Sequence, residues 1–434
     1  MTAVLSAPFL TPIAELGPAH PSIAPLAQVV GADECVPLRA GDSARYANLD
    51  YAASAPALTA VAQTVQASLA QYASVHRGAG HLSQVTTRRY EEARETVRAF
   101  VRGRVDDAVV FTRGTTDAIN LAAHVTCGDV VVLDIEHHAN LLPWCAPDRT
   151  GSSRVRVVPA CATIEDTLAA LDAELASAPA ALLAVTAASN VTGEVLPIGR
   201  LASIAHRHGA RILVDAAQLV AHRRVSMVSH GIDYLVFSGH KLYAPFGAGV
   251  LIGRADWLDA APPYLAGGGA SASVDFGITG ADAAVEWHRG PARHEAGSPN
   301  VLGAISIAAA CTALADIGFD SIGLHEEALR ARLDDGLAAI DGVTALRIFD
   351  DSTDRVGIAG FDVAGHAPRA VAEYLSSDAG VGVRDGKFCA HPLLKRLGHP
   401  DGAVRASFGL GTGSDDIDRL TDALTRLTTR ARTS

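Results

Sequence analysis

Between about residue 45 and residue 305, short runs of Val, Leu and Ile alternate with longer amphipathic stretches. This alternation constrains the fold more than any other feature. A short apolar run without polar alternation is a strand buried on both faces, and such strands belong to sheets covered by helices on either side. Seven strand candidates emerge, most of them unbroken in this way: Ala108–Phe111, Val130–Leu133, Arg154–Val158, Ala181–Thr186, Arg211–Val214, Tyr234–Phe237 and Gly249–Ile252. Helical spacing of apolar residues occurs at Arg88–Arg102, Thr116–Val125, Ile164–Leu175, Ile198–His208 and Val301–Ile317. The pattern predicts an α/β fold with a mainly parallel seven-stranded sheet.

The remainder of the chain reads differently. A helix over Ser321–Ala339 precedes strand-like Thr344–Phe349 and Val356–Val363, a helix at Pro368–Leu375, strands at Gly380–Arg384 and Val404–Phe408, and a closing helix. Ser414, followed by Asp415 and Asp416, suits the N-cap of that last helix, and Ile417, Leu420, Leu424 and Leu427 form its apolar stripe. This is a smaller α+β unit. Residues 1–40 are rich in Ala and Pro without periodicity. The expected organisation is an N-terminal arm at 1–44, partly disordered or packed on the small domain, a large domain at 45–305 and a small C-terminal domain at 306–434.

Function classes narrow with charge and cysteine content. A net charge of −11 argues against nucleic acid or an anionic membrane as the main partner. The six cysteines show no CxxC spacing, so no metal site is expected. Sparse cysteines in a long chain, no apolar stretch of spanning length and no basic segment before Arg39 predict a cytoplasmic address.

In open α/β sheets ligands bind beyond the carboxyl ends of the strands. Thr115, His137, Asn190, Asp215 and Lys241 each follow an apolar run closely. Taken singly, Thr115 is a helix cap, Asp215 a strand-end cap, His137 a surface residue and Lys241 a solvated lysine. Together they fit pyridoxal phosphate. Lys241 supplies the amine that forms a Schiff base with the cofactor aldehyde, and Asp215 keeps the pyridine nitrogen protonated. Thr115 and Thr116 at a helix start, with Ser238 and His240, suit the phosphate. His137 suits stacking on the ring, and Asn190 suits the phenolate.

These residues stand in segments that resemble the class V aminotransferase family of fold type I PLP enzymes, most closely the group II cysteine desulfurases and selenocysteine lyases. The segments include Asn48-Leu49-Asp50-Tyr51, Val75-His76-Arg77-Gly78, Arg113-Gly114-Thr115-Thr116-Asp117, Glu136-His137-His138-Ala139-Asn140, Val214-Asp215-Ala216-Ala217-Gln218, Ser238-Gly239-His240-Lys241, Gly297-Ser298-Pro299 and Val404-Arg405-Ala406-Ser407. The resemblance covers about residues 45–430. It implies that Asn190 and Gln218 contact the phenolate. It also implies that Arg405 binds the substrate carboxylate and that His76 lines the substrate pocket. Ser298, where the family usually has Thr, is implied to reach the phosphate of a neighbouring subunit, giving a homodimer with shared active sites.

One segment decides the chemistry. Arg384-Asp385-Gly386-Lys387-Phe388-Cys389-Ala390-His391-Pro392 occupies the place of the family's catalytic-cysteine loop. Cys389 aligns with the cysteine that takes sulfur from the substrate as a persulfide, and nearby cations, Arg384 among them, favour its thiolate. Members commonly carry Thr or Ala at the position of Asp385 and two histidines at the positions of Lys387 and Phe388. The implied activity converts L-cysteine, or a related small amino acid, to L-alanine and passes sulfur to an acceptor protein. Rival readings are a selenocysteine lyase, a C–S β-lyase or epimerase on the same scaffold, and a non-catalytic PLP-binding dimer.

Overall fold

The computed structural model describes residues 21–146, 154–276 and 283–433. The first twenty residues of the expected arm lie outside the described residues. Residues 21–45 follow the body of the protein. Leu26 and Ala27 both donate their N–H to the Leu410 carbonyl, at 2.8 and 3.0 Å. Cys35–Pro37 and Ser43–Arg45 then form a short antiparallel pair.

The seven apolar runs form one sheet: β1 (Asp107–Thr112), β2 (Val130–Leu133), β3 (Val155–Val158), β4 (Leu182–Thr186), β5 (Arg211–Asp215), β6 (Tyr234–Ser238) and β7 (Gly249–Arg254). Their order is β1-β7-β6-β5-β4-β2-β3. β3, β2, β4, β5 and β6 are mutually parallel. β7 runs antiparallel to both β6 and β1, so β1 shares the direction of the other five. Central strands such as Val130–Leu133 and Leu182–Thr186 are buried throughout, as their unbroken apolar sequence requires.

Helices cover both faces. The helix α1 (His81–Phe100) begins about two turns earlier than its apolar pattern suggests, because its first turns carry polar Ser83 and Thr86. Those hydroxyls bond to the Arg77 carbonyl and the Leu82 carbonyl respectively. The helix α2 (Thr115–Val125) starts at the end of β1, and α3 (Val301–Ile317) is a largely buried helix. The expected boundary at residue 305 falls inside α3. No single helix among the described residues is long and apolar enough to cross a membrane.

A second sheet contains β8 (Val343–Ala345), β9 (Ile358–Val363), β10 (Arg384–Gly386) and β11 (Ala403–Ser407), in the order β8-β9-β11-β10. It has its own apolar cluster, including Leu329, Phe361, Val404 and Leu420. Three local expectations are corrected here. The strand expected over Thr344–Phe349 stops at Ala345, because the Glu194 carboxylate takes the N–H groups of Ile348 and Phe349, at 2.8 and 3.1 Å. The strand expected over Gly380–Arg384 is two pieces: Val381–Gly382 pairs with Ala47–Asn48, and β10 pairs with β11. Ser414 is the first helical residue rather than the N-cap. Its hydroxyl accepts from the Ile23 N–H at 3.1 Å, and Asp416 accepts from the Gly413 N–H at 3.0 Å instead.

Candidate active site

The carboxyl ends of β1, β2, β4, β5 and β6 open into a cavity of about 290 Å³, closed on the far side by the turn carrying Cys389. Twelve of the residues expected from the sequence line it: Thr115, Thr116, His137, Asn190, Asp215, Gln218, Ser238, His240, Lys241, Arg384, Cys389 and Arg405. Two do not. His76 lines a separate cavity with Glu91 and Arg94, and Ser298 borders another with Tyr264 and Asn300.

One end of the cavity is a hydroxyl cradle at the start of α2. Ser238 accepts from the Thr115 N–H at 2.8 Å and its hydroxyl meets that of Thr115 at 2.5 Å. Gly249 makes this approach possible, since a Cβ there would stand 2.5 Å from the Gly114 Cα. Beside the cradle the His240 ring stacks on Phe246, with centroids 5.1 Å apart, and its Nδ1 is buried without a partner. Burial and the neighbouring Lys241 charge push the His240 pKa down to about 4.

In the middle of the cavity lie Lys241, Asp215 and His137. Burial holds the Lys241 amine below the ordinary lysine range, with Asp215 pulling it back up and Arg405 pushing it further down. Burial likewise raises the Asp215 carboxyl, against the opposing charge of Lys241 and the Ala217 N–H that Asp215 accepts at 3.0 Å. The His137 pKa falls to about 3, chiefly through burial and then through Lys241, so its ring is neutral at working pH. Its Nδ1 accepts from the Ala139 N–H, which leaves the proton on Nε2. Gln218 is anchored by donating to the Ala52 carbonyl at 2.8 Å.

At the opposite end is Arg405, whose side chain is only 4% exposed. It donates to Asp50 and to the Asn190 carbonyl, both at 2.9 Å, and its Nε is buried without a partner. A buried guanidinium with an unused donor, on a residue that lines the cavity, suits a planar carboxylate.

The Cys389 segment is a tight turn. The Ala390 N–H donates to the Lys387 carbonyl at 2.8 Å, and the two central residues, Phe388 and Cys389, have φ of 50° and 53°. Paired left-handed residues closed by such a bond make a type I′ turn, which normally takes Gly or Asn. Two side-chain-bearing residues there cost about 1 to 2 kcal/mol each. The surroundings offset that cost. The Phe388 carbonyl accepts from Asn190 Nδ2 at 2.8 Å, and the Cys389 carbonyl accepts from the His138 N–H at 2.8 Å. The Phe388 ring is buried with the Arg405 guanidinium 5.1 Å over it. Cys389 itself is exposed at the tip. Strain held by several independent contacts is characteristic of functional turns.

The sequence reading passed over Glu136 and Asp50. Glu136 is fully buried, accepts from Asn140 Nδ2 at 2.7 Å and from the Thr186 N–H at 3.1 Å, and so ties the turn carrying His137 to the end of β4. The signal was present: Glu136 and Asn140 flank His137 within one motif. Burial, with the Asp215 charge adding to it, pushes the Glu136 carboxyl up to about 8. A carboxyl raised above its unfolded value stabilises the fold fully below about pH 4.5 and loses that contribution as pH rises through about 8. Glu136→Gln is therefore expected to remove a stability slope on the order of a few kcal/mol between those limits, read as melting temperature against pH.

The residues fit pyridoxal phosphate. A hydroxyl cradle at a helix start suits a phosphate, a buried carboxyl suits a pyridine nitrogen, and the partnerless buried atoms of His240 and Arg405 lie at the two ends. A mostly parallel seven-stranded sheet with these groups at its carboxyl edge is the architecture of fold type I enzymes. Residues 47–420 match the aminotransferase class-V family, and the chain belongs to that family, whose members use pyridoxal phosphate. A cysteine desulfurase of Dickeya dadantii (strain 3937) is 38% identical over 391 residues, which are 88% of this chain and 92% of that one. Among solved structures, the apo cysteine desulfurase of Thermococcus onnurineus NA1 superposes with a TM-score of 0.80 at 31% identity, covering 89% of this chain and 95% of that one. The S-sulfonic acid form of the cysteine desulfurase CsdA from Escherichia coli gives 0.78 at 33% identity, with the same coverage.

Proposed function

We propose that this chain binds pyridoxal phosphate and converts L-cysteine to L-alanine, taking the sulfur onto Cys389 as a persulfide. The observation that carries the reading is the exposed, strained Cys389 turn opening onto the same cavity as Lys241 and Arg405. Thr115, Thr116, Ser238 and His240 hold the phosphate, Asp215 the ring nitrogen, and Asn190 and Gln218 the phenolate. Asn190 has the capacity, since only one of its two amide protons is committed to the Phe388 carbonyl. The bound cofactor supplies an electron sink for the substrate carbon.

The chain's own groups do the rest. Arg405 fixes the substrate carboxylate, and Lys241, whose neutral form burial favours, takes the α-proton. Cys389 thiolate attacks the substrate sulfur, the Cβ–S bond breaks, Cβ takes up a proton, and a proton is returned to Cα. L-cysteine and a thiol thus become L-alanine and a persulfide, with atoms and electrons in balance. Ser298 is read as facing the site of a second copy, which makes a homodimer the working unit. A small domain is supported by the separate cluster under the second sheet, which also takes in Ala47 and Leu49 from the start of the large-domain segment. Six free cysteines suit a reducing cytoplasm.

The test is product analysis. PLP-loaded protein with L-cysteine and dithiothreitol is expected to yield alanine and sulfide in equal amounts. Pyruvate as the main product would make the chain a β-lyase and reject the proposal.

A further inference from the structure

The chain contains 33 arginines and only three lysines. One lysine is Lys241. The other two, Lys387 and Lys395, stand two residues before and six residues after Cys389. Residues 384–399 carry four cationic side chains, Arg384, Lys387, Lys395 and Arg396, against the single carboxylate of Asp385, in a chain whose net charge is −11. All four cations are exposed, as is Cys389.

The acidic groups on packed elements leave most of this charge unneutralised. Asp134 pairs with Arg396 at 3.3 Å, and Asp362 lies 3.8 Å from His399. Asp385 is half-buried. Arg384, Lys387 and Lys395 make no ion pair among the described residues. The charges also lie on both sides of the thiol. Arg384 begins the strand leading into the turn, and Lys395 sits on the helix α4 (His391–Arg396), four residues beyond its start and thus about 6 Å along its axis. A small anionic thiol meets one of these charges at a time. An acidic protein segment meets all three.

We propose that the rim around Cys389 is a docking surface for the acidic surface of a protein that presents a cysteine as sulfur acceptor. This rests on the desulfurase reading. The acceptor thiolate attacks the outer sulfur of the Cys389 persulfide. A new S–S bond forms on the acceptor, the old one breaks, and Cys389 leaves as thiolate, with no net oxidation or reduction. Opposite charge on the two surfaces speeds encounter, and salt screens it.

The test compares acceptors on the PLP-loaded protein: dithiothreitol, glutathione, a twelve-residue peptide with one cysteine among Asp and Glu, and the same peptide with Asn and Gln. The acidic peptide is expected to take sulfur about tenfold faster than its neutral counterpart at low salt, with the advantage lost as ionic strength rises. The Lys395→Glu variant, away from the thiol's own turn, is expected to cut that advantage to about threefold or less while alanine formation with dithiothreitol stays within about twofold. Equal rates for the two peptides, or an advantage insensitive to both salt and charge reversal, overturns the proposal. Glutathione gaining as much as the acidic peptide overturns it in favour of a small anionic thiol. Absence of alanine in the dithiothreitol arm removes the persulfide itself, and the desulfurase reading falls first.

Discussion

Lys241→Ala is expected to lower alanine formation from L-cysteine by about 10⁴-fold, the upper end of what one positioned proton-transfer group contributes. The reason lies in where the amine is held. Lys241 ends the short turn after β6, between Asp215 on β5 and the Cys389 turn. Burial disfavours its charged form, so its neutral form is more abundant than that of an exposed lysine. Lys241→Arg separates charge from chemistry. It keeps a cation beside Asp215, but a guanidinium does not give up its proton in a protein. Both variants are expected to be equally inactive and to resist borohydride labelling at position 241. Activity in the arginine variant within tenfold of the parent would mean that the proton is taken elsewhere.

Much of this site was legible in the sequence, for a physical reason. Strands buried on both faces have unbroken apolar sequence, so their ends are sharply marked. Thr115, His137, Asn190, Asp215 and Lys241 lie just beyond those ends and converge because the strands are parallel. What escaped were consequences of contacts distant in sequence. Glu194 ends an expected strand more than 150 residues away by taking its N–H groups, and Ile23 claims the hydroxyl of Ser414. Glu136 was hidden for a related reason: its partner at Thr186 is fifty residues on. The turn at Phe388 and Cys389 was legible only as a polar, Gly-containing stretch. Its left-handed residues contradict local preference, and contacts from Asn190, His138 and Arg405 hold them there. The rim's three unpaired cations were visible as letters, but their exposure and lack of partners were not.

Cys389→Ala is expected to reduce alanine formation from L-cysteine by about 10²-fold or more, while the visible absorbance of the bound cofactor and its change on adding L-cysteine persist. The distinction follows from the layout. Substrate capture depends on Arg405 and the α-proton on Lys241, and neither holds its position through the Cys389 side chain. The turn is fixed by backbone carbonyls and by Phe388, so removing the thiol leaves its geometry intact. Only the sulfur's destination is lost. Cys389→Ser keeps the size of the side chain and removes its chemistry, since a hydroxyl is not ionised near neutral pH and forms no persulfide. It is expected to be as impaired as the alanine variant. Selenocysteine offers the complementary measurement, because a selenol leaves more readily and needs no thiol to receive it. If both variants retain selenocysteine turnover but lose cysteine turnover, the thiol acts on sulfur alone. If either variant makes alanine from L-cysteine at the parent rate, Cys389 is not the nucleophile and the strained turn serves another purpose.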